Sequence, residues 1–471
     1  MAEPNHVPRT AVRQLAMVFL ATGLWFVPAP DGLAVEAWRL FALFGTAILS
    51  VVISAFPILT AAVFAVAAAV LTNLLPAEKA YAGFANGTIL LIVLAFLVAR
   101  SVVKCGLGIR IGHLMVSLFG RSALGLSYSI FLVDSIIAPA FPSNTARSGV
   151  IYPMAFSLAD AAGARPGEDG RRRLGTFLMF SGIVSLSLSS ALWLTAMAAN
   201  PLGTEMARAF GVEIGFGSWL LAASVPTIAG IVLMPLVLRW LIAPEQNATP
   251  EAPAAARRAL KELGPLRRDE KIVLAAFVGM VLLWGAAATL GLDSTAIAFL
   301  GFGVLLASGV LTLQDIAKEG DVLATFIWFA VLFTLSSQLN ELGFMGYLGQ
   351  HIAASLIGLS PLVAALILIV AYVVLHYMFV SQTAHLLALF GVFLDVGVKL
   401  GVPATPLAFQ LLFATNYFSA ITPQGSSANL LFAGSGLLSQ RDMYRLGGYS
   451  TAFCMLVYLV IGIPWLLLVT R

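Results

Sequence analysis

Two short polar clusters interrupt long apolar stretches of this sequence and hold the residues best suited to binding chemistry. They read Ser143-Asn144-Thr145-Ala146-Arg147 and Ser381-Gln382-Thr383-Ala384-His385. Each has a serine, an amide, a threonine and an alanine, followed by a basic residue about one helical turn after the serine. Hydroxyls and amides bind carboxylate oxygens without a charge of their own. The clusters therefore predict the binding of an anion.

A third polar cluster, residues 422–429, lies in another apolar stretch and contains both proline and glycine. These residues break helices, and neighbouring hydroxyls and amides can satisfy the backbone groups that a break exposes. Asn429 in this cluster and Asn200 in the first half of the chain lie in similar four-residue matches, 428–431 and 199–202. We expect further substrate contacts from Thr422, Pro423, Gly425, Ser426, Ser427, Asn429 and Asn200.

The composition requires that these clusters lie in a membrane protein. Of 471 residues, 60% are hydrophobic and only 10% are charged, and the mean hydropathy is +0.96. A spanning helix needs about 20 apolar residues, so almost the whole chain is accounted for by membrane helices. This excludes soluble enzymes and nucleic-acid-binding modules. The only cysteines, Cys105 and Cys454, give neither a metal cluster nor a disulfide framework, and we predict no metal, cofactor or catalytic residue.

Apolar runs and their interruptions predict an all-α, polytopic fold with about eleven spans and two re-entrant hairpins. The spans fall near 12–28, 36–54, 58–75, 86–103, 174–197, 216–243, 270–290, 294–312, 322–340, 405–432 and 447–470. The hairpins cover about 122–160 and 355–395, because polar clusters at mid-membrane are tolerated only inside protein or beside a cavity. The predicted organisation is an N-terminal part with the first span (1–35), a first repeat (36–243), a cytoplasmic linker (244–269) and a second repeat (270–471).

Basic residues support this count of crossings. With the N-terminus in the cytoplasm, the basic segments 104–121, 161–173, 244–271 and 437–446 all lie on the cytoplasmic side, as the positive-inside rule requires. If either hairpin were a full span, every later loop would move to the other side of the membrane, and the basic segments would no longer all lie in the cytoplasm. We read the proline- and alanine-containing linker as a solvated connector, and the protein as a multi-pass protein of the inner (plasma) membrane.

The matching clusters also predict an inverted repeat. They occur in the same order and at similar distances from Glu36 and Glu270, and five spans separate these two starting points. Inverted repeats bring broken helices to the middle of the bilayer from opposite sides, where helix N-termini favour anionic groups. Two such tips facing each other suit a ligand with two anionic ends, which favours a dicarboxylate.

At these clusters the sequence resembles the divalent anion:sodium symporter family, and most closely its branch of 2-oxoglutarate/malate translocators and citrate, tartrate and dicarboxylate exchangers. The resemblance covers essentially the whole chain. It implies a homodimer whose protomers combine a scaffold with a transport domain that moves like an elevator. It also implies substrate contacts by Ser143, Asn144, Thr145, Ser381, Gln382 and Thr383.

The sequence departs from the sodium-coupled pattern, which has Ser-Asn-Thr at both tips with ions behind them. Here Gln382 replaces the second asparagine, and Arg147 and His385 follow the tips. A fixed cation can replace a bound sodium ion, and moving it unpaired through the membrane is costly. We therefore expect sodium-independent, obligate exchange of C4 or C5 dicarboxylates such as succinate, malate, fumarate and 2-oxoglutarate.

Alternatives stay open at this point. A sodium- or proton-coupled symporter of the same fold is the main one, and a membrane enzyme acting on lipids is another. Arg147 can also be a charge that reaches the cytoplasmic interface, and His385 a buried structural histidine. Asp134 either pairs with Arg147 across the first hairpin or bonds within its own arm.

Overall fold

The structure is a computed structural model that describes residues 9–165, 172–356 and 358–470. Most of these residues are helical, and the only β-type pairing among them is an isolated bridge between Ser122 and Ala248. The first half contains α1 Arg9–Phe26, α2 Val35–Val52, α3 Ile58–Leu71, α4 Ala77–Ala80, α5 Gly87–Cys105, α6 Leu107–Phe119, α7 Ala123–Ile137, α8 Asn144–Ala161, α9 Arg172–Leu192, α10 Ala199–Arg208 and α11 Phe216–Ile242.

The second half has a similar succession of long, broken and short helices. It contains α12 Glu251–Leu263, α13 Arg268–Leu290, α14 Ser294–Ala307, α15 Leu313–Ala317, α16 Gly320–Glu341, α17 Phe344–Ala354, α18 Pro361–Leu375, α19 Gln382–Lys399, α20 Ala404–Tyr417, α21 Ser427–Ala433, α22 Gln440–Val457 and α23 Ile463–Val469. Short 3₁₀ turns follow α7, α18 and α20, and a π-helical turn, Tyr458–Gly462, joins α22 to α23.

The all-helical membrane fold predicted from the sequence is confirmed, but individual spans differ from the prediction. Nine helices within the described ranges are long and apolar enough to cross a membrane, and they include the first arm of each hairpin. The predicted spans at α1, α3 and α14 are shorter apolar helices. The predicted span 405–432 is not one helix, because α20 ends at Tyr417 and α21 begins at Ser427.

Both predicted hairpins are pairs of helices joined by a short break. The first consists of α7 and α8, close to the predicted limits. The second consists of α18 and α19 and begins later than expected, at Pro361, where Ser360 caps the helix and proline occupies its first turn. Residues 344–354, just before this hairpin, form the separate helix α17.

Helix α9 lies at the centre of the molecule. Residues 174–192 of this helix are all buried, whereas only 22% of the 18-residue apolar window within Arg268–Leu290 of α13 is buried. Helix α9 packs against α7, α8, α11 and α20, and thus contacts the first hairpin and the broken helix of the second half. The serines of α9 fit this environment because their hydroxyls bond to nearby carbonyls, as Ser181 Oγ does to Phe177 O at 2.7 Å.

Hydrogen bonds bring the basic segments to one face of the molecule. Arg110 binds Glu270 through two nitrogens, at 2.8 and 3.1 Å, and Thr249 Oγ1 donates to Gly120 O at 2.8 Å. At this face, residues 244–269 are not the plain connector we expected. They contain α12, which packs on α6 because Pro253 and Ala256 form a buried apolar side.

Candidate substrate-binding site

The two predicted tips have nearly the same local structure. Ser143 is the N-cap of α8 with φ −151° and ψ 127°, and Ser381 is the N-cap of α19 with φ −147° and ψ 125°. Their hydroxyl oxygens accept hydrogen bonds from Ala146 N and Ala384 N, both at 3.3 Å. Each serine therefore satisfies one backbone donor of its helix. The remaining donors of each first turn lie at the break.

The tips contact each other directly. Asn144 Nδ2 donates to Gln382 Oε1 at 3.2 Å, across 238 residues of sequence. Gln382 Nε2 in turn donates to Thr415 O at 2.7 Å and to Asn416 O at 3.3 Å, at the end of α20. The break in the first hairpin, the break in the second hairpin and the end of α20 thus form one polar cluster in the interior.

A cavity of about 440 Å³ lies beside this cluster. Eight of the residues predicted to bind substrate line it, namely Ser143, Asn144, Thr145, Ser381, Gln382, Thr383, Ser426 and Ser427. Its volume is in the ~300–1,000 Å³ range of small-molecule sites. Seven predicted residues do not line it: Arg147, Asn200, His385, Thr422, Pro423, Gly425 and Asn429.

The opposite wall of the cavity comes from helices that the motifs did not indicate. Phe96 belongs to α5, and Asp321, Thr325 and Trp328 belong to α16. The α16 residues share one helical face, since they are separated by four and three positions. Their spacing was visible in the sequence, but many lipid-facing and packed helices have similar spacings, and nothing in the sequence linked this face to the tips.

Arg147 lies behind the first tip and is fully buried. Its guanidinium donates to Asn144 Oδ1 at 2.5 Å, to Ser189 Oγ at 2.8 Å and to Leu186 O at 3.1 Å, and also to Ser190 Oγ. It therefore does not extend to the membrane surface. Its acceptors are an amide oxygen, a backbone carbonyl and two serine hydroxyls, which are neutral oxygens of the kinds that can also bind a sodium ion.

Asp134 is the partner that the sequence left undecided. Its Oδ1 lies 3.6 Å from Arg147 Nη1, and both side chains are fully buried. Ser189 Oγ joins the pair by donating to Asp134 Oδ2 at 2.6 Å. The sequence argument treated Arg147 as an unpaired charge that the substrate must neutralise. This premise was wrong, because Asp134 already faces the guanidinium.

His385 lies behind the second tip in an aromatic environment. It contacts the rings of Tyr372, Phe379 and Phe418, at centroid distances of 4.4 to 4.8 Å. Its Nδ1 lies 3.4 Å from His376 Nδ1, and His376 Nε2 lies 2.9 Å from Gly425 O. The two histidines thus connect the second hairpin to the polar bend that contains Gly425.

Asn200 and Asn429 make the same pair of bonds in the two halves. Asn200 Nδ2 donates to the carbonyl oxygens ten and seven residues before it, at 2.9 and 3.2 Å. Asn429 Nδ2 does the same at 2.7 and 3.0 Å. The two asparagines therefore brace the broken helices behind the cavity. This equivalence was anticipated by the sequence match, although the boundaries assigned to the two repeats stay a prediction.

No group of three or more potential metal ligands among His, Cys, Asp and Glu occurs in the described residues. The polar atoms that the tips bring to the cavity come from hydroxyls, amides and backbone groups, and the carboxylates of Glu319 and Asp321 also line it. The chemistry available at the tips is the binding of an anion by hydrogen-bond donors.

Comparison with known proteins identifies the family. A sequence profile for the sodium:sulfate symporter transmembrane region matches residues 9–470. The chain belongs to the divalent anion:sodium symporter family. This confirms the resemblance based on the tip motifs.

Family members of similar sequence have names that describe transporters. The "Putative malate transporter YflS" of Bacillus subtilis (strain 168) is 40% identical over 453 residues, which cover 95% of each chain. Dicarboxylate transporter 2 of Spinacia oleracea chloroplasts is 38% identical, over 93% of this chain and 79% of its own. Dicarboxylate transporter 1 of Arabidopsis thaliana chloroplasts is 35% identical, over 95% of this chain and 81% of its own.

Two solved structures of transporters share the fold at low sequence identity. The YdaH transporter of Alcanivorax borkumensis superposes with a TM-score of 0.60 at 15% identity, covering 83% of this chain and 86% of its own. MtrF of Neisseria gonorrhoeae superposes with a TM-score of 0.59 at 12% identity, covering 98% of this chain and 96% of its own.

Proposed function

We propose that this family member exchanges C4 and C5 dicarboxylates across the plasma membrane without sodium coupling. The observation that carries the proposal is the meeting of two serine-capped helix N-termini beside one cavity. Each N-terminus has about half a unit of positive charge. Two of them, with the adjacent hydroxyls, suit a small dianion better than a neutral solute or a cation.

The environment of Arg147 supports transport without sodium. Its guanidinium is bonded to a backbone carbonyl, an amide oxygen and two serine hydroxyls, and it therefore uses the neutral oxygens that a cation behind this tip would need. Behind the second tip, His385 and its aromatic neighbours occupy the corresponding place. Neither group can leave with the substrate.

Obligate exchange follows from the cost of moving an empty site. Without substrate, the first-turn donors that Ser143 and Ser381 do not satisfy lack a protein partner, and unsatisfied polar groups away from water are costly, by roughly 1–3 kcal/mol each in proteins. A bound dicarboxylate satisfies them. In a sodium-coupled carrier the ions leave together with the substrate, whereas here the positive ends of α8 and α19 are permanent. The elevator movement and the homodimer implied by the family belong to the same proposal.

Counterflow in proteoliposomes tests this function. Labelled malate outside should enter vesicles that contain unlabelled succinate or malate, at the same rate in sodium, potassium or choline buffer. Vesicles without internal dicarboxylate should take up very little. Uptake into such empty vesicles driven by a sodium or pH gradient would instead establish the alternative, a sodium- or proton-coupled symporter.

A further inference from the structure

We propose that Asp321 of α16 limits the site to doubly charged anions, because it places an uncompensated carboxylate opposite the two tips and repels a third negative charge on the ligand. The inference rests on the proposed dicarboxylate function and deepens it. It assigns a specificity role to a residue that lies in none of the sequence motifs.

The cavity beside the tips has two sides of opposite chemical character. On one side the first turns of α8 and α19 bring their backbone donors together with Thr145 and Thr383. On the other side Glu319 and Asp321, at the start of α16, bring carboxylates to the lining. Helix N-termini attract anions, whereas carboxylates repel them, so the two sides act oppositely on a bound dicarboxylate.

Glu319 contributes little net charge because it has a basic partner. Its Oε1 lies 2.9 Å from Arg100 Nε, and its side chain is only 23% exposed. Arg100 comes about one helical turn after Phe96 of α5, which lines the same cavity. The pair therefore lies at this corner of the cavity as a nearly neutral unit.

Asp321 has no such partner. It is the second residue of α16, and it is exposed where it lines the cavity. Within residues 9–165, 172–356 and 358–470, no basic group lies within ion-pairing distance of its carboxylate, and no group donates a hydrogen bond to it. The N-terminus of its own helix compensates only about half a unit of charge. The α16 wall therefore keeps a net negative charge opposite the tips.

A third carboxylate on the ligand would meet this charge. When the tips hold the two ends of a dicarboxylate, a substituent on the chain between them points away from the tips, towards α16. The cavity of about 440 Å³ is in the ~300–1,000 Å³ range of small-molecule sites, so size alone admits a six-carbon tricarboxylate. Repulsion between like charges in a partly enclosed site lowers affinity by about tenfold or more. The site thus gains specificity from a repulsive element, and this element acts on charge.

Three ligands with the same five-carbon chain separate the effect of charge from that of size. Glutarate has two carboxylates, tricarballylate adds a third on the central carbon, and 3-carbamoylglutarate has a neutral amide of similar shape in place of that third carboxylate. Affinities are measured at about pH 8, where the carboxyl groups are ionised, by thermal stabilisation of the purified protein and by inhibition of labelled-malate counterflow. The unchanged protein should bind tricarballylate about tenfold or more weakly than glutarate, and 3-carbamoylglutarate about as well as glutarate.

The test compares Asp321→Asn with Asp269→Asn. Asp269 is also an exposed aspartate at the second position of a long helix, α13, but it lines neither of the two cavities named by their lining residues here and below. Asp321→Asn should bring the affinity for tricarballylate to within about threefold of that for glutarate, whereas Asp269→Asn should keep the wild-type ratio. Asp321→Glu retains the charge and should also keep this ratio.

A wild-type ratio of the two affinities in Asp321→Asn would overturn the proposal, and so would equal binding of tricarballylate and glutarate by the unchanged protein. Equal rejection of tricarballylate and 3-carbamoylglutarate would show exclusion by size, which also contradicts it. If Asp321→Asn does not fold, Asp321→Ser provides a second neutral side chain with the same expected ratio. Failure of the proposed exchange function is seen separately, as absence of stabilisation and counterflow with every dicarboxylate in the unchanged protein.

Discussion

A guanidinium inside a membrane protein needs acceptors from the protein itself, and Arg147 has them on Asn144, Leu186 and Ser189. Asp134 adds a carboxylate at 3.6 Å. The charge is thus balanced before any substrate binds. What remains special about Arg147 is its geometry, because its planar fork of donors meets several oxygens at once.

Arg147→Ala should abolish counterflow, and Arg147→Lys should retain only a small part of it. Lysine keeps the charge but lacks the planar fork of donors with which Arg147 contacts Asn144, Leu186 and Ser189. The measurement is labelled-malate exchange at equal amounts of reconstituted protein. Exchange by Arg147→Ala at the wild-type rate would show that the residue has no role behind the tip.

Asp134→Asn should destabilise the protein, because it leaves Arg147 buried without its counter-charge. Removing one partner of a buried ion pair costs about 3–5 kcal/mol. Asp395→Asn is the matched control, since the pair of Asp395 and Lys399 is partly exposed and such pairs contribute about 0–1 kcal/mol. Thermal unfolding in detergent should show a clearly larger fall in Tm for Asp134→Asn. Equal small shifts would contradict a structural role for this pair.

At the scale of elements, α16 has a cavity near each end. The tips, with Asp321 and Thr325, enclose the larger one. A second cavity of about 280 Å³ lies between Ser337 and Glu341 of α16 and Glu205 and Met206 of α10. Helix α10 follows the break after α9 that Asn200 braces. The second cavity therefore lies between this broken-helix region and the C-terminal end of α16.

Ser337→Trp should block exchange without abolishing substrate binding. If the tips move along α16 during transport, an indole in the second cavity obstructs the movement while the first cavity stays intact. Ser308→Trp is the control, because Ser308 is a half-buried serine near the end of α14 and lines neither cavity. Dicarboxylate-dependent thermal stabilisation should persist in both variants, and counterflow should be lost only in Ser337→Trp. Normal counterflow by Ser337→Trp would count against movement through this space.

At the scale of the whole molecule, the basic segments form a single face. Arg173 Nε binds Glu245 at 3.2 Å, and Thr176 Oγ1 donates to Leu437 O at 2.8 Å. These bonds join the start of α9 to segments far away in the sequence. If this face is cytoplasmic, as the positive-inside rule requires, the cavity at the tips lies towards the inner end of α16.

Labelling of single cysteines should establish this orientation. Both native cysteines are buried, so the background reaction with a membrane-impermeant maleimide should be low. Cysteine introduced by Asp31→Cys, in the exposed turn after α1, should react in intact cells. Cysteine introduced by Arg258→Cys, on the exposed side of α12, should react only after permeabilisation. The reverse pattern would invert the proposed topology and the direction in which the cavity faces.

The sequence by itself determined the membrane class, both hairpins and the equivalence of their tips. These features depend on local physics: apolar length specifies a membrane helix, proline and glycine break it, and serine before a first turn caps it. Tertiary structure decided what lies behind and opposite the tips. The pairing of Asp134 with Arg147, the hydrogen bond between Asn144 and Gln382 and the α16 wall all join side chains from separate helices. Hydropathy and motif spacing do not specify such contacts, because they depend on how the helices pack around α9.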